Sequence, residues 1–475
     1  MDRNIYFRSF IIFWIIFIYF WNVWLNAIWI PNESFYAEAV REMFESGNFL
    51  DIYYNYEPRF NKPPLTYWSI ALSVFIFGLN EFAIRLPIVL MALGTNFLTY
   101  LIAKRLYNSE VGFYAFVIMA VSFQFIINSR YASPEVPLAF FFTLTLYLFL
   151  KGYLDKDFKY IFFSYIALGL TILTKGYPYF FVISGIVGLY IFIEKNFSIK
   201  EIIKELKFLK IYIGIPVALI IGFSWIVYMH LKFGDYFWQV YNEETIKRAF
   251  AEESKFTDIF FYLTVILWGF LPYSLTFYYG FINSLKDIKR FSFIFSWVVV
   301  MFIIFTIAKG KIPTYFIQAH PALSIFVSYY LTNSKNDYLF KATLIIPAIL
   351  ITGLNIAIIY LFKLDYIYYL ISLFPIIYFI RYKDLKLLPF FSILITFFIF
   401  VVSILPKVEK YRPYKEIGQK VLFVDKKIPL IIQNRFFHNL PFYAQRKVLR
   451  DFSKEQIIDY TLSEKLNSKG SIYTS

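Results

Sequence analysis

The chain has 475 residues, of which 59% are hydrophobic and 23% aromatic, and 17% are charged against about 25% in an ordinary soluble domain. Apolar runs of about 20 residues, the length that crosses a bilayer, recur from end to end and exclude a soluble fold. The net charge of +15 fits basic loops at a membrane surface, so we expect no nucleic-acid partner. The absence of cysteine excludes disulfides and thiolate metal sites.

Fourteen apolar segments are candidate membrane spans. They cover residues 9–30, 65–79, 84–103, 110–128, 134–150, 160–174, 177–194, 210–231, 258–283, 291–308, 313–332, 342–363, 366–380 and 388–405. The first segment is longer than the apolar region of a signal peptide, and no small-residue cleavage site follows it. We therefore expect an uncleaved first span.

The orientation follows from lysine and arginine in the loops. Basic clusters occupy every second loop if the segment at 65–79 does not cross the membrane. That segment is short, follows Pro63-Pro64 and contains Gly78, which favours an interfacial or re-entrant helix. Thirteen spans then place the N-terminus in the cytoplasm and the C-terminal part outside the plasma (cell inner) membrane. The alternative is a fourteenth crossing, which would put most later basic clusters outside.

The sequence thus predicts an all-α polytopic membrane protein with about 13 transmembrane helices. Residues 1–405 form the transmembrane domain, and its first external loop, residues 31–83, contains juxtamembrane helices. Residues 406–475 form a small external α/β domain with strand-like runs at Lys420–Val424 and Ile428–Ile432 and a helical end. About 70 residues are marginal as an independent fold.

Two acids are expected on the outer face. Glu33 lies in the first turn of a predicted membrane-surface helix that Asn32 or Ser34 would cap. Glu135 begins a later span on the same face. One acid at a helix start is ordinary because it complements the helix dipole. Two acids on one face, beside several cations, suit acid–base chemistry.

Several cations are predicted on that face, although lysine and arginine usually prefer the cytoplasmic loops. Lys62 lies beside Pro63-Pro64 and Trp68, where it either pairs with a phosphate or extends towards water beside an interfacial tryptophan. Lys175 and Lys311 lie in loops too short to leave the rim, and Arg248 lies in a loop long enough to cover a cavity. Binding an anionic group is the simplest explanation for these cations.

His320, inside a span, is expected to be packed or hydrogen-bonded, and the three histidines form no metal triad.

Taken in order, these segments resemble the aminoarabinose transferase and protein O-mannosyltransferase group of the GT-C membrane glycosyltransferases. The resemblance covers roughly residues 10–330 and extends weakly into the tail. It is carried by Asn32-Glu33, Tyr36-Ala37-Glu38, Arg41-Glu42-Met43, Asn61-Lys62-Pro63-Pro64-Leu65-Thr66-Tyr67-Trp68, Gly78-Leu79-Asn80-Glu81-Phe82-Ala83-Ile84-Arg85-Leu86-Pro87, Pro134-Glu135, Leu173-Thr174-Lys175-Gly176, Asn242-Glu243-Glu244, Gly269-Phe270-Leu271-Pro272-Tyr273-Ser274 and Lys311-Ile312-Pro313-Thr314-Tyr315.

The resemblance implies a GT-C fold and transfer, with inversion, of a sugar from a polyprenyl-phosphate carrier of the undecaprenyl phosphate type. The implied acceptor is a lipid A-like lipid or another cell-envelope molecule on the outer face, with membrane lipids as further partners. Lys62 matches the lysine of the family's Lys-Pro-Pro motif, which holds the carrier phosphate, and Tyr315 matches another phosphate contact. The candidate catalytic residues are Glu33, Glu135 and Asn32. The candidate substrate- and phosphate-binding residues are Lys62, Tyr315, Lys175, Lys311, Arg248, Arg59 and Tyr36.

Three positions depart from the family pattern. Asn32 replaces the usual aspartate, Phe35 replaces a frequent basic residue, and Asn61 replaces the acid before the Lys-Pro-Pro motif. The resemblance implies a metal-binding histidine near Ser254, and the sequence has none there. We therefore carry over no cofactor and no metal site, and a divalent metal stays an open alternative. Either Glu33 takes over as the base, or the acceptor is already anionic and needs none.

Two other functions stay open on the sequence alone. A non-catalytic relative would bind the carrier lipid without the chemistry lost at Asn32. A lipid or polysaccharide transporter would have related halves and charges near the midplane, whereas this sequence has no obvious repeat and its charges lie at one rim.

Overall fold

The structure, a computed structural model, describes residues 2–243, 259–308, 310–333, 337–425, 430–433 and 436–452. The helices are α1 (Asp2–Phe20), α2 (Asn32–Ser46), α3 (Leu65–Phe77), α4 (Glu81–Leu106), α5 (Ser109–Val121), α6 (Phe123–Asn128), α7 (Glu135–Asp155), α8 (Phe158–Lys175), α9 (Pro178–Glu194), α10 (Ile199–Leu209), α11 (Ile211–Phe233), α12 (Asp235–Tyr241), α13 (Phe261–Gly269), α14 (Ser274–Ser284), α15 (Ser292–Ile307), α16 (His320–Asn333), α17 (Tyr338–Leu361), α18 (Ile367–Ser372), α19 (Phe374–Tyr382), α20 (Leu388–Ile399), α21 (Leu405–Glu409), α22 (Tyr414–Val421) and α23 (Leu440–Ala444). A 3-10 turn, Pro313–Ala319, precedes α16, and a π-helical turn, Phe400–Ile404, joins α20 to α21.

The described strands form two small sheets. Strands β1 (Tyr53–Tyr54) and β2 (Glu57–Pro58) pair antiparallel, and β3 (Leu430–Gln433) pairs parallel with β4 (Val448–Phe452).

Six helical segments of the described chain are long and apolar enough to cross a membrane. They are Glu81–Leu106, Glu135–Asp155, Phe158–Lys175, Ile211–Phe233, Tyr338–Leu361 and Leu388–Glu409. Shorter apolar helices accompany them at Ile5–Phe20, Leu65–Phe77, Ser109–Val121, Pro178–Glu194, Ser292–Ile307 and Ile367–Tyr382. The protein is therefore polytopic and mostly helical, and the count of thirteen spans stays a prediction.

Ion pairs distinguish the two ends of the helix bundle. At one end, Arg85 near the start of α4 pairs with Glu33 near the start of α2. At the other end, Arg105 near the end of α4 pairs with Asp155 at the end of α7. We call the end with Glu33 the site face and the end with Arg105 the opposite face. The predicted external acids and cytoplasmic basic clusters correspond to these two faces.

The first helix ends ten residues earlier than the apolar run predicts, at Phe20 instead of residue 30. The end of α1 and the chain beyond it are held by Arg85 of α4 and by Arg130 of the loop between α6 and α7, because both donate to main-chain carbonyls that a longer helix would have used internally. These carbonyls belong to Ile18, Tyr19, Trp21, Val23, Asn26 and Ala27. Long-range polar contacts thus override local hydrophobicity at this site.

Two other predicted spans are interrupted in the structure. The run at 258–283 is divided into α13 and α14 by an irregular segment that contains Pro272, a residue without an N–H to donate. The run at 313–332 begins as a 3-10 turn before α16. Both interruptions bring irregular backbone into the bundle, where it is surrounded by protein.

Helix α3 has 13 residues and is about 20 Å long, shorter than the hydrocarbon core of about 30 Å. Near its start, Trp68 donates its indole N–H to the carbonyl of Phe49 at 2.7 Å. After its end, Asn80 caps α4 by accepting from the Ala83 N–H at 2.9 Å, on the face that carries Arg85. Both ends of α3 lie on the site face, the geometry of an interfacial helix.

The segment after Pro406 differs in part from prediction. The strand predicted at Lys420–Val424 is wrong, because residues 414–421 form α22, which an ion pair between Glu416 and Lys420 supports at helical spacing. The strand predicted at Ile428–Ile432 overlaps β3. The predicted helical end lies outside the described residues, and the division into two domains stays a prediction.

The described part of this C-terminal segment packs against the chain between α1 and the start of α4. Tyr443 accepts from the Ile28 N–H at 2.8 Å and donates to Glu81 at 2.9 Å. Asn55 and the main chain of Val448 exchange two hydrogen bonds at 2.8 and 2.9 Å. The C-terminal segment therefore lies on the site face and forms part of its wall.

Candidate active site

Helix α2 directs its first turns into the bundle. Glu33, Ser34 and Tyr36 are buried, whereas Asn32, the first residue of the helix, is exposed. The expected side-chain cap by Asn32 or Ser34 is wrong, because no side chain caps this helix and the Ser34 hydroxyl donates to the Trp29 carbonyl at 3.0 Å. Among the described residues, none makes a contact that holds Asn32 in a reacting position.

The Glu33 carboxylate is completely buried and uses both oxygens for structural contacts. It accepts from Arg85 Nε at 2.8 Å and from Arg85 Nη2 at 2.7 Å, a bidentate pair. The main-chain N–H groups of Trp29 and Ala132 also donate to it, each at 2.8 Å. Four donors occupy the carboxylate, so this geometry does not fit the base expected at Glu33. Glu33 instead ties α2, α4 and the loop before α7 together.

Glu135 has a different environment at the start of α7. Its Oε1 accepts from Lys175 Nζ at 3.0 Å, and both side chains are nearly buried, 13% and 7% exposed. Its Oε2 is buried and makes no hydrogen bond within the described part of the chain. A buried carboxylate oxygen without a protein partner is rare, and a catalytic role or a bound water molecule is a usual explanation. Of the two acids, Glu135 is therefore the one with an oxygen that the described protein donors leave unoccupied.

The Tyr36 phenol interacts electrostatically with Glu135 and with Arg59. Tyr36 of α2 stacks on Tyr67 of α3, with ring centroids 4.4 Å apart. Burial raises the pKa of the Tyr36 phenol, and the nearby Tyr67 and Glu135 raise it further, whereas Arg59 lowers it. The Tyr36 phenol therefore stays protonated and can donate a hydrogen bond beside Glu135.

Arg59 lies against the Phe35 ring, 3.9 Å from guanidinium carbon to ring centroid. Its Nε is buried and has no hydrogen-bond partner among the described residues. Phe35 replaces a frequent basic residue of the family, and Arg59 brings a guanidinium to the same position from the neighbouring loop. This cation is available to an anionic ligand.

The predicted phosphate-binding residues are divided between one cluster and two separate loops. Tyr315 lies beside Lys175, whose Nζ is 5.1 Å from the ring centroid. Lys62 is half-buried and donates to the carbonyl of Asn61 at 2.9 Å. Lys311 donates to the Ala308 carbonyl at 3.0 Å and so caps the end of α15. Contacts and electrostatic interactions thus link Tyr36, Arg59, Glu135, Lys175 and Tyr315. Lys62 and Lys311 donate to carbonyls of their own loops, and Arg248 lies outside the described residues.

A second charged group lies further along α2. Glu38 and Arg41 form a bidentate pair at 2.8 Å, and Glu42 accepts from the Tyr56 N–H at 3.0 and 3.1 Å. Burial and the neighbouring Glu38 charge raise the pKa of Glu42 to about 8. Glu42 is therefore mostly protonated at neutral pH, and the group fixes the helix to the β1–β2 hairpin.

Sequence reasoning assigned no role to Arg85, Tyr67 or Gln318. Arg85 lies in the second turn of an apolar span, and an arginine at that depth is itself a signal of a buried partner. Tyr67 follows the Lys-Pro-Pro motif by one helical turn. Gln318 donates to the Glu135 carbonyl at 3.4 Å, and no local pattern predicts this contact. The expectation for His320 is confirmed, since its Nδ1 lies 2.6 Å from the Ser122 hydroxyl.

Within the described residues, no three Asp, Glu or His side chains converge as metal ligands. Asn61, where the resemblance implies an acid, offers only an amide.

Comparison with protein families and curated proteins gives three relevant matches. The family model described as dolichyl-phosphate-mannose-protein mannosyltransferase matches residues 61–228. An uncharacterised protein of Aquifex aeolicus is 37% identical over 450 residues, which are 92% of this chain and 86% of that protein. The undecaprenyl phosphate-alpha-4-amino-4-deoxy-L-arabinose arabinosyl transferase 1 of Proteus mirabilis is 29% identical over 67% of this chain and 58% of its own length. The chain thus spans a little over half of that transferase.

Comparison with solved structures identifies the fold. The crystal structure of ArnT from Cupriavidus metallidurans bound to undecaprenyl phosphate matches with a TM-score of 0.79 at 20% identity, covering 96% of this chain and 88% of that one. The oligosaccharyltransferase of Archaeoglobus fulgidus matches more distantly, with a TM-score of 0.55 at 12% identity, covering 94% and 65%. The predicted GT-C fold is confirmed.

These findings define a membrane protein of the GT-C class. The chain is a membrane glycosyltransferase of this class, similar to the aminoarabinose transferases and, over residues 61–228, to the protein mannosyltransferases. The resemblance read from the sequence is confirmed.

Proposed function

We propose that this protein transfers a sugar, with inversion, from a polyprenyl-phosphate carrier of the undecaprenyl phosphate type to a lipid or another cell-envelope acceptor. The reaction takes place on the outer face of the plasma membrane, with the N-terminus in the cytoplasm. The observation that carries this proposal is the buried Oε2 of Glu135, which has no hydrogen-bond partner in the described part of the chain and lies in one cluster with Lys175, Tyr36, Arg59 and Tyr315.

Glu135 is the proposed base. The acceptor oxygen forms a bond to the anomeric carbon while the bond from that carbon to the carrier phosphate breaks. The acceptor proton passes to Glu135 Oε2, and the phosphate leaves with the bonding electrons. Lys175 holds the carboxylate in place through Oε1. An acceptor that is already anionic needs no base, and Glu135 then only orients it.

The cations of the site face stabilise the leaving phosphate. Charge that develops on phosphate oxygens is stabilised by donors fixed in advance within a water-poor site. Lys175 and Tyr315 lie together at the cluster, and the buried Nε of Arg59 has no hydrogen-bond partner among the described residues. Lys62 is proposed to bind the phosphate from the rim, where the flanking prolines restrict its loop, while Lys311 and Arg248 remain proposed contacts.

The test is sugar transfer by the purified full chain in lipid nanodiscs with a radiolabelled polyprenyl-phosphate sugar and a lipid acceptor. Glu135→Gln is expected to slow a single turnover by about 10²–10⁴-fold, the usual contribution of a general base, with carrier binding retained. Glu57→Gln is the matched control, because Glu57 is a 61% exposed acid of the same face. Its rate should equal that of the natural chain.

Three outcomes would count against this proposal. Carrier binding without turnover in the natural chain would identify a non-catalytic relative. Unchanged turnover in Glu135→Gln with a hydroxyl acceptor would show that Glu135 is not the base. An unchanged rate in Lys62→Ala would show that the phosphate site lies elsewhere.

A further inference from the structure

Helix α10 lies on the opposite face, between the end of α9 and the start of α11. Its Ile202, Glu205 and Leu209 are buried, and their spacing places them on one side of the helix. Glu205 accepts from Lys156 at 2.7 Å and from Lys195 at 2.9 Å. One side of α10 is therefore fixed to the ends of α7 and α9.

A second side of α10 is apolar and exposed. Ile199, Ile203 and Leu206 are 73%, 48% and 37% exposed, and they follow one another at the i, i+4, i+7 spacing of a single helix face. This face lies about a quarter turn from the buried side, since successive residues rotate by about 100°. An apolar row of this kind is disfavoured in water, and on a membrane protein it indicates contact with lipid.

A third side carries a row of lysines. Lys200, Lys204 and Lys207 are exposed and lie about a quarter turn from the apolar row, on the side away from the bundle. Lysines beside an apolar helix face extend their stems along it and place the ammonium groups at headgroup depth. The buried side of α10 thus faces the bundle, the apolar side suits lipid acyl chains, and the lysine side suits lipid headgroups.

We propose that α10 is a membrane-surface helix that binds anionic phospholipid headgroups. Its apolar row enters the boundary of the acyl chains, and its lysines contact lipid phosphates. Charge complementarity identifies the occupant: a zwitterionic surface would not attract a lysine row, whereas an anionic leaflet does. The helix fastens the opposite end of the bundle to that leaflet. This inference does not depend on the sugar-transfer function.

The depth of α10 can be measured because the chain contains no cysteine. Ile203→Cys carries an NBD label on the apolar row, and Glu201→Cys carries the control label on the side turned away from it. In bilayers containing phosphatidylglycerol, the label at position 203 should be protected from dithionite, while the label at position 201 is reduced at once. Equal reduction at the two positions would overturn the proposal.

The lipid preference is measured by quenching of the label at position 203 with doxyl-labelled phosphatidylglycerol or phosphatidylcholine. The anionic lipid should quench several-fold more strongly, because each basic residue near an anionic surface contributes about a five-fold preference. Replacing Lys200, Lys204 and Lys207 by glutamine should remove the difference. The control Arg381→Gln/Lys383→Gln, at the end of α19 on the same face, should retain it.

Each arm of this comparison is decisive. Equal quenching by the two lipids in the chain with its lysines, or loss of preference in the control pair, contradicts the proposal. Dithionite protection at position 203 in the triple variant shows that the helix is still in place, so a lost preference there is due to the lysines.

Discussion

Replacing Glu33 by glutamine is expected to destabilise the fold strongly, because this carboxylate is occupied by structural contacts. It accepts four hydrogen bonds at 2.7–2.8 Å, two from Arg85 and two from the main chain of Trp29 and Ala132. In glutamine, one oxygen becomes an NH₂ group that faces donors. The Arg85 guanidinium then also remains buried without its counter-charge.

The magnitude follows from these contacts. Removing one partner of a buried ion pair costs about 3–5 kcal/mol, and a buried donor left without an acceptor costs about 1–3 kcal/mol. The carbonyls of Val23 and Asn26 still accept from Arg85 and limit the loss. We therefore expect Glu33→Gln to lose about 4 kcal/mol or more of unfolding free energy, in line with the terms just given.

The assay combines unfolding and turnover on the same preparation. Tryptophan fluorescence during unfolding in detergent gives the stability, and single-turnover transfer per folded molecule gives the chemistry. Glu57→Gln, on the surface of the same face, should change stability by less than about 0.5 kcal/mol. Glu33→Gln should lose stability and keep transfer within about tenfold of the natural chain, since it supplies no proton transfer. Natural stability with transfer reduced a hundredfold would refute the reasoning and restore Glu33 as the base.

Three further predictions concern other parts of the site face. Tyr315→Phe should raise the donor KM tenfold or more with little change in kcat, because it removes one hydrogen bond to a charged phosphate; an unchanged KM would exclude that contact. The pKa of Glu42 is about 8 in the fold, against an ordinary glutamate pKa near 4.3. The protonated side chain therefore contributes stability that is fully present below about pH 4.3 and is lost as the pH rises towards 8. Unfolding from pH 5 to 9 should therefore show a decline that Glu42→Gln abolishes, and an identical profile in both proteins would contradict this. Tyr443→Phe should speed hydrogen exchange at residues 440–448, as it leaves the Ile28 N–H unpaired, and unchanged exchange would show that the contact does not hold the segment.

Local pattern was sufficient to predict most of the helical bundle. Long apolar runs such as those in α4, α7 and α17 appear in the structure near their predicted bounds. The first predicted span is helical only to Phe20, because Arg85 and Arg130, more than 60 residues away, donate hydrogen bonds to the carbonyls that would continue the helix. Hydrophobicity alone carries no information about such distant donors.

The site was only partly predictable for the same reason. The sequence places Glu33 and Glu135 on one face, and the family motifs identify Lys62, Lys175 and Tyr315. It does not distinguish the two acids, because their roles depend on the partners that the fold supplies. The fold gives Glu33 four donors and leaves one oxygen of Glu135 open.

The packing of the C-terminal segment was also beyond sequence reasoning. Its contacts join residues nearly 400 positions apart, as between Asn55 and Val448. The strand predicted at Lys420–Val424 was wrong because alternation over five residues is too short to be distinguished from an amphipathic helix. Helix α22 there is completed by tertiary packing against Tyr443.

The central claim is that the carrier phosphate binds beside Glu135 on the site face. A cryo-electron microscopy structure of the full chain in nanodiscs with a polyprenyl phosphate tests it most directly. The account predicts phosphate density within hydrogen-bond distance of Lys62 and Tyr315 and next to the Glu135–Lys175 pair, with the prenyl chain leaving past Trp68 into the bilayer. Phosphate density on the opposite face, or Lys62 turned away from it, would contradict the account.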